Sequence, residues 1–77
     1  MQVQVITPDK KVFEGEAISA AIGSFEILND HAPLVSALQE SKISIRTTEG
    51  TEEFRISGGV VEVLNNQVSV LVESLID

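Results

Sequence analysis

The stretch SGGVVEVLNNQVSVLV, Ser57 to Val72, decides the fold. Val60 to Leu64 and Gln67 to Val72 are apolar-rich runs on either side of Asn65-Asn66. Asparagine tolerates φ > 0, which a two-residue hairpin turn demands, so the two runs read as antiparallel strands. Gly58-Gly59 interrupts the pattern ahead of them, as a bulge or a close backbone approach would. Val60-Val61 and Val70-Leu71-Val72 are apolar on both faces. Either these strands are central in the fold, or their outer face is covered by another protein.

The same period of two runs outward in both directions. Gln2 to Thr7 alternates Val3 and Val5 against Gln2 and Gln4. Pro8-Asp9-Lys10-Lys11 is turn chemistry, with proline setting φ at the second position. A short strand is expected at Val12 to Glu14, closed by Gly15, and a third at Glu16 to Ile22. The third is rich in alanine, so a bulky neighbour is expected over it. Gly23-Ser24 breaks the chain before a strand at Phe25 to Leu28, Asn29 to Pro33 forms a corner, and Leu34 to Leu38 resumes. Lys42 to Thr47 points Ile43 and Ile45 inward, and Glu49-Gly50 turns into Glu52 to Ser57, where Phe54 and Ile56 face in. The expectation is one all-β domain over residues 1–77, a flattened β-sandwich or barrel of about eight to ten short, mostly antiparallel strands.

Bulk properties narrow the function. With 77 residues and no cysteine, the chain has one small core and no disulfide or thiolate site. Ordering such a chain costs roughly 1.5 kcal/mol per residue, so its core barely balances that cost, and stability borrowed from a partner is expected. Five basic residues face twelve acidic ones, a net charge of −7. That argues against nucleic acid and anionic lipid and favours a basic or neutral protein surface. No run reaches the ~18 apolar residues of a membrane span, and MQVQVITPDKK lacks the basic start and apolar core of a signal peptide. A cytoplasmic chain is expected, able to sit on a membrane complex through other subunits.

Catalytic and metal chemistry find little purchase. His31 is the only histidine. A nucleophilic triad would need it to serve Ser36 or Ser57 with Asp30 as orienter, yet adjacent residues on an extended segment point to opposite sides. One histidine without cysteine is a poor zinc set. Glu49-Gly50-Thr51-Glu52-Glu53 lacks the ligand spacing of a calcium loop and reads as a solvated acidic turn. Gly58-Gly59 lacks the lysine and following helix of a phosphate cradle. Lys10-Lys11 is too short for a nucleic-acid patch. The corner Asn29 to Pro33 keeps two readings, a loop that satisfies its own backbone or a contact surface.

Four segments in order resemble one family. FEILNDHAPLVSAL (Phe25 to Leu38) is similar to G-E-F-G-I-L-P-G-H-A-P-L-[VL]-T-A-L of the ε subunit of F-type ATP synthases. EEFRISGGVVEV (Glu52 to Val63) is similar to that family's E-E-F-x-[VIL]-S-G-G-x-x-E-V. QVSVLVESL (Gln67 to Leu75) resembles its closing strand, and VITPDKKVFEG (Val5 to Gly15) keeps the T-P-x-x-x-x-F-x-G spacing of its first hairpin. The resemblance implies a β-sandwich in the rotor that binds the γ subunit, rests on the ring of c subunits and carries torque without chemistry or cofactor. It implies a peripheral place on the cytoplasmic face of a bacterial membrane.

Carried over by position, the c-ring face is Gly23, Ser24, Phe25, Glu26, Asn29, Asp30 and His31. The γ-facing set is Thr7, His31 and Ser36. Ser57, Gly58 and Gly59 form a structural bulge. The chain departs from the family pattern in four places. The match ends at Asp77, where full-length members continue into a C-terminal helical hairpin, so the resemblance implies a short form or the N-terminal domain alone. The loop before the corner is shortened to Gly23-Ser24-Phe25-Glu26. Asn29-Asp30 stands in place of Pro-Gly, which implies a looser corner. Glu40-Ser41 replaces a second Pro-Gly turn. The competing reading is a free-standing ligand-binding β-module, which requires a concave pocket with converging polar groups.

Overall fold

The computed structural model describes residues 1–76. It has ten strands: β1 (Gln2–Ile6), β2 (Lys11–Glu16), β3 (Ser19–Ile22), β4 (Phe25–Leu28), β5 (Leu34–Leu38), β6 (Ser41–Thr47), β7 (Gly50–Ile56), β8 (Gly59–Leu64), β9 (Gln67–Val72) and β10 (Leu75–Ile76). They form two five-stranded sheets, β2-β1-β9-β8-β5 and β10-β7-β6-β3-β4. Pairing is antiparallel except between β1 and β9, which run parallel with Val3 beside Val68 and Val5 beside Val70. This is the expected all-β sandwich.

The alternation decides what lies between the sheets. The first sheet turns Val3, Val5, Val61, Val63, Val68, Val70 and Val72 inward, each at most 2% exposed. The second opposes them with Ile22, Ile27, Ile43, Ile45 and Ile56, also at most 2% exposed. A valine face packed on an isoleucine face suits stiff β-branched side chains on a pleated surface. The phenylalanines Phe13, Phe25 and Phe54 sit at the margin of this core, partly buried. Ala20 lies between Ile27 and Ile45 on the neighbouring strands, so larger side chains flank the thin strand within its own sheet.

Several boundaries differ from the sequence reading. β2 continues through Gly15 to Glu16, because its ladder with β1 holds Gly15 beside Val3 and Glu16 beside Gln2. β3 starts only at Ser19, since Ala17 and Ile18 carry the chain between sheets. There the Ala17 N–H donates to Met1 O at 2.8 Å and the Ile18 N–H to Arg46 O at 2.7 Å. β10 was not expected, and it pairs Leu75 with Ile56. The Asn65-Asn66 turn is as read: φ is 52° and 61°, left-handed at both central positions, the type I′ geometry. At the other sharp break, Gly23 alone is left-handed, with φ 59°, as type II′ requires at its first central position.

β8 and β9 are internal strands, yet their outer face is open. Ile6, Leu71, Val60 and Ala37 lie abreast across β1, β9, β8 and β5. Leu71 is 52% exposed, and Val35, one residue before Ser36 on β5, is 70% exposed.

Candidate functional site

The corner between β4 and β5 is built on a tight turn. The His31 N–H donates to Leu28 O at 3.2 Å, and Asp30 takes the left-handed conformation with φ 62°. A left-handed third residue is where the family pattern carries glycine. Asp adopts that conformation more readily than most residues, because its short side chain bonds locally. Pro33 then leads into β5, where Leu34 and Leu38 pack on the margin of the core.

His31 is held by its own chain. Its Nδ1 lies 2.6 Å from Ala32 O. A carbonyl only accepts, so Nδ1 carries the proton and Nε2 is the acceptor of the neutral ring. The Asp30 carboxylate accepts instead from Asn29 Nδ2, at 3.3 Å. Asp30 therefore does not orient the imidazole here, although the segment is a left-handed turn and not the extended chain assumed from the sequence.

The corner is also tied to the β8–β9 turn of the first sheet, which the chain enters through β5. The Asp30 N–H donates to Asn66 Oδ1 at 2.8 Å, and Asn66 Nδ2 donates to Asn29 Oδ1 at 3.0 Å. Asn29 Oδ1 also accepts from the Met1 ammonium at 3.2 Å. That ammonium donates to Ala17 O at 3.1 Å and pairs with Glu16 at 3.3 Å.

The structure separates residues that the sequence reading grouped. Gly23 and Ser24 turn the chain at one end of β4, and Asn29, Asp30 and His31 stand at the other, roughly 13 Å of extended chain away. Within β4, Glu26 is exposed while Phe25 is partly buried against the core margin. Thr7 and His31 lie at opposite ends of the first sheet. Ile6 is abreast of Ala37 through Leu71 and Val60, whereas Asp30 meets Asn66, beyond the far ends of β8 and β9. The Thr7 hydroxyl is engaged by its own turn, accepting from the Lys10 N–H at 3.1 Å and donating to Lys10 O at 3.2 Å. Ser36 sits half-buried on edge strand β5 beside Val61, with Oγ 3.3 Å from Ala37 O.

Ser57, Gly58 and Gly59 are a crossover rather than an extra residue in a ladder. Gly59 stays in register with Val72 and Leu38. Ser57 and Gly58 carry the chain from the second sheet to the first, beside Glu73 and Ser74, which return it. The Ser57 N–H donates to Ser74 O at 3.0 Å and the Glu73 N–H to Gly58 O at 2.9 Å. At Gly59 a side chain would run into the carbonyl of Leu71, so the expected close backbone approach is present.

The surface carries several hollows, among them one of about 290 Å³ bordered by Glu14, Glu16, Thr47, Glu49 and Glu52. One of about 430 Å³ is lined by Lys42, Glu53, Phe54, Arg55, Leu75 and Ile76 on the second sheet. Another of about 400 Å³ lies along Ile6, Val60 and Leu71 on the first. Among the described residues no buried side-chain polar atom lacks a partner, and no three His, Asp or Glu side chains are grouped to hold a metal ion. No helix among them is long and apolar enough to cross a membrane.

Asn66 is the residue that sequence reasoning missed. It was read as a turn residue alone. The available signal was asparagine at a position where a type I′ turn favours glycine.

Comparison with known proteins agrees with this geometry. A family profile described as "ATP synthase, Delta/Epsilon chain, beta-sandwich domain" matches residues 1–77. The ATP synthase epsilon chain of Synechocystis sp. is 38% identical over 76 residues, covering 94% of this chain and 56% of that one. The chain thus spans little more than half of that relative. The ATP synthase epsilon chain of Chlorobium limicola is 34% identical over 79 residues, covering 96% of this chain and 90% of that one. A chain in the Tetrahymena thermophila mitochondrial ATP synthase central stalk and c-ring structure superposes with a TM-score of 0.85 at 22% identity, covering all of this chain and 66% of that one. The two-sheet topology, the corner around His31 and the match over the full sequence place this chain in the family of ATP synthase delta/epsilon β-sandwich domains.

Proposed function

We propose that the chain is a non-catalytic central-stalk component of an F-type ATP synthase, linking the γ subunit to the c ring during proton- or sodium-driven ATP synthesis. The observation that carries this reading is the family match over residues 1–77, with the His31 corner and the Ser57-Gly58 crossover both formed. In this reading the protein works mechanically. Each sheet is cross-linked strand to strand and the sheets are joined by a β-branched core, so the sandwich resists shear better than a loosely packed module.

The contact surfaces in this proposal are two. The ends of β4, with Gly23, Ser24, Phe25 and Glu26 at one and Asn29, Asp30 and His31 at the other, meet the c ring. Thr7, His31 and Ser36 border the γ side. The open apolar row Ile6, Leu71, Val60 and Ala37 supports a protein partner of substantial area. The complex holds the chain peripherally, at the cytoplasmic face of a bacterial membrane.

The test is a pull-down of the tagged chain from detergent-solubilised membranes of its own source, with bound proteins identified by mass spectrometry. Recovery of γ together with the c ring is expected. A folded chain that recovers neither would overturn the rotor reading and favour the free-standing binding module.

A further inference from the structure

We propose that Asn66 is a positioning residue for the His31 corner: from the β8–β9 hairpin turn it holds the contact surface in register. This rests on the reading that the corner meets a partner. Three observations lead to it.

The first is the residue choice. Both central residues of the β8–β9 turn are left-handed, and glycine is the favoured second residue of such a turn. Asparagine there gives up some turn stability, which points to a use for its side chain.

The second is the bonding. Asn66 spends both ends of its amide on the corner. Oδ1 accepts from the Asp30 N–H at 2.8 Å, and Nδ2 donates to Asn29 Oδ1 at 3.0 Å. The amide orientation is forced, since a backbone N–H only donates, and flipping the group would set donor against donor. The turn that supplies Asn66 is itself anchored, because the Gln2 N–H donates to Asn66 O at 3.1 Å. The corner is thus referred to β1 and the β8–β9 hairpin, 36 residues along the chain from Asp30.

The third is the corner's composition. Asn29-Asp30 gives up the backbone stiffness of Pro-Gly, and Asp30 must still be left-handed. Two hydrogen bonds from the β8–β9 turn supply from outside the constraint that proline would supply from within. The anchored N–H is one residue from His31, whose ring is in turn oriented by Ala32 O. Movement of residues 29–30 would therefore carry the imidazole with it. Because the pair is exposed, its effect on global stability is small and its effect on position is large.

Asn66→Gly is the deciding variant, since it keeps the turn and removes only the latch. Three readouts are needed: the thermal midpoint, amide hydrogen exchange at Asp30 and His31, and affinity for a γ–c-ring assembly of the same source lacking this subunit. The midpoint is expected to hold within a few degrees. Exchange at Asp30 should rise roughly tenfold and affinity fall about three- to tenfold, as loss of exposed hydrogen bonds allows.

Unchanged exchange and affinity in Asn66→Gly would overturn the proposal and leave the contact reading standing. Weakened binding with unchanged exchange at Asp30 would overturn it too, because Asn66 would then touch the partner itself. Collapse of the fold in Asn66→Gly would mark a purely structural residue. Failure of the unaltered chain to bind the assembly would remove the contact reading and the proposal together, even with fast exchange at Asp30.

Discussion

Gly59 lies so close under the carbonyl of Leu71 that no side chain fits between them, and its φ of 155° suits glycine. This contact is where β8 enters the first sheet beside β9. It explains why a glycine stands at the end of an otherwise valine-rich strand. The neighbouring Gly58 has more room: a Cβ there would sit 3.2 Å from both Leu38 O and a Glu73 carboxylate oxygen.

Gly59→Ala is accordingly expected to cost about 2–4 kcal/mol, since backbone must move to admit the methyl group. Gly15→Ala is the control. Its Cβ would meet only the Phe13 ring at 3.6 Å, an ordinary contact, so the change should stay within about 0.5 kcal/mol. Urea melts of both variants check this. Equal midpoints would show that the approach at Gly59 relaxes without cost.

Ile45→Ala removes a fully buried side chain from the isoleucine face of the core. Such truncations cost about 2–5 kcal/mol, against a total stability of about 4–12 kcal/mol for a domain this size. The variant should be partly or wholly unfolded at 37 °C, as followed by circular dichroism. A midpoint within a few degrees of the parent would mean that the two sheets close over the cavity.

Asp30 is strained in a way that substitutions can read. At φ 62° glycine fits without penalty, so Asp30→Gly should be neutral or stabilising by up to about 1 kcal/mol. Asp30→Val places a β-branched residue in the left-handed region and should cost about 1–2 kcal/mol. Thermal melts decide the order. Valine matching glycine would show that the turn changes conformation freely.

His31→Ala loses the local Nδ1 bond to Ala32 O and little packing, since the residue is only partly buried. Stability should change by less than about 0.5 kcal/mol. Under the rotor proposal, affinity for the γ–c-ring assembly should fall several-fold. An unfolded His31→Ala variant would make the histidine structural. An unchanged affinity would remove it from the contact surface.

Much of this was legible locally. Strict alternation in Lys42 to Thr47 placed Ile43 and Ile45 inside, and both are fully buried. Asn65-Asn66 and Gly23-Ser24 announced their turns through the need for φ > 0, a requirement that a few residues meet by themselves. The boundaries at Glu16 to Ser19 were misread because alternation continues through a crossover, where the chain leaves one sheet while its backbone remains extended.

The sequence by itself therefore determined nine of the ten strands in outline, the inward faces, the tight turns and, through motifs spread along its length, the family. Only the tertiary structure decided which strands are neighbours, including the parallel pairing of β1 with β9. It also decided that Thr7 and His31 stand at opposite ends of a sheet, and that Asn66 meets Asn29 and Asp30. The physical reason is range. Alternation and turn chemistry depend on residues a few positions apart, whereas these placements follow from how the sheets close over one shared core. That closure brings together residues whose local patterns carry no record of each other.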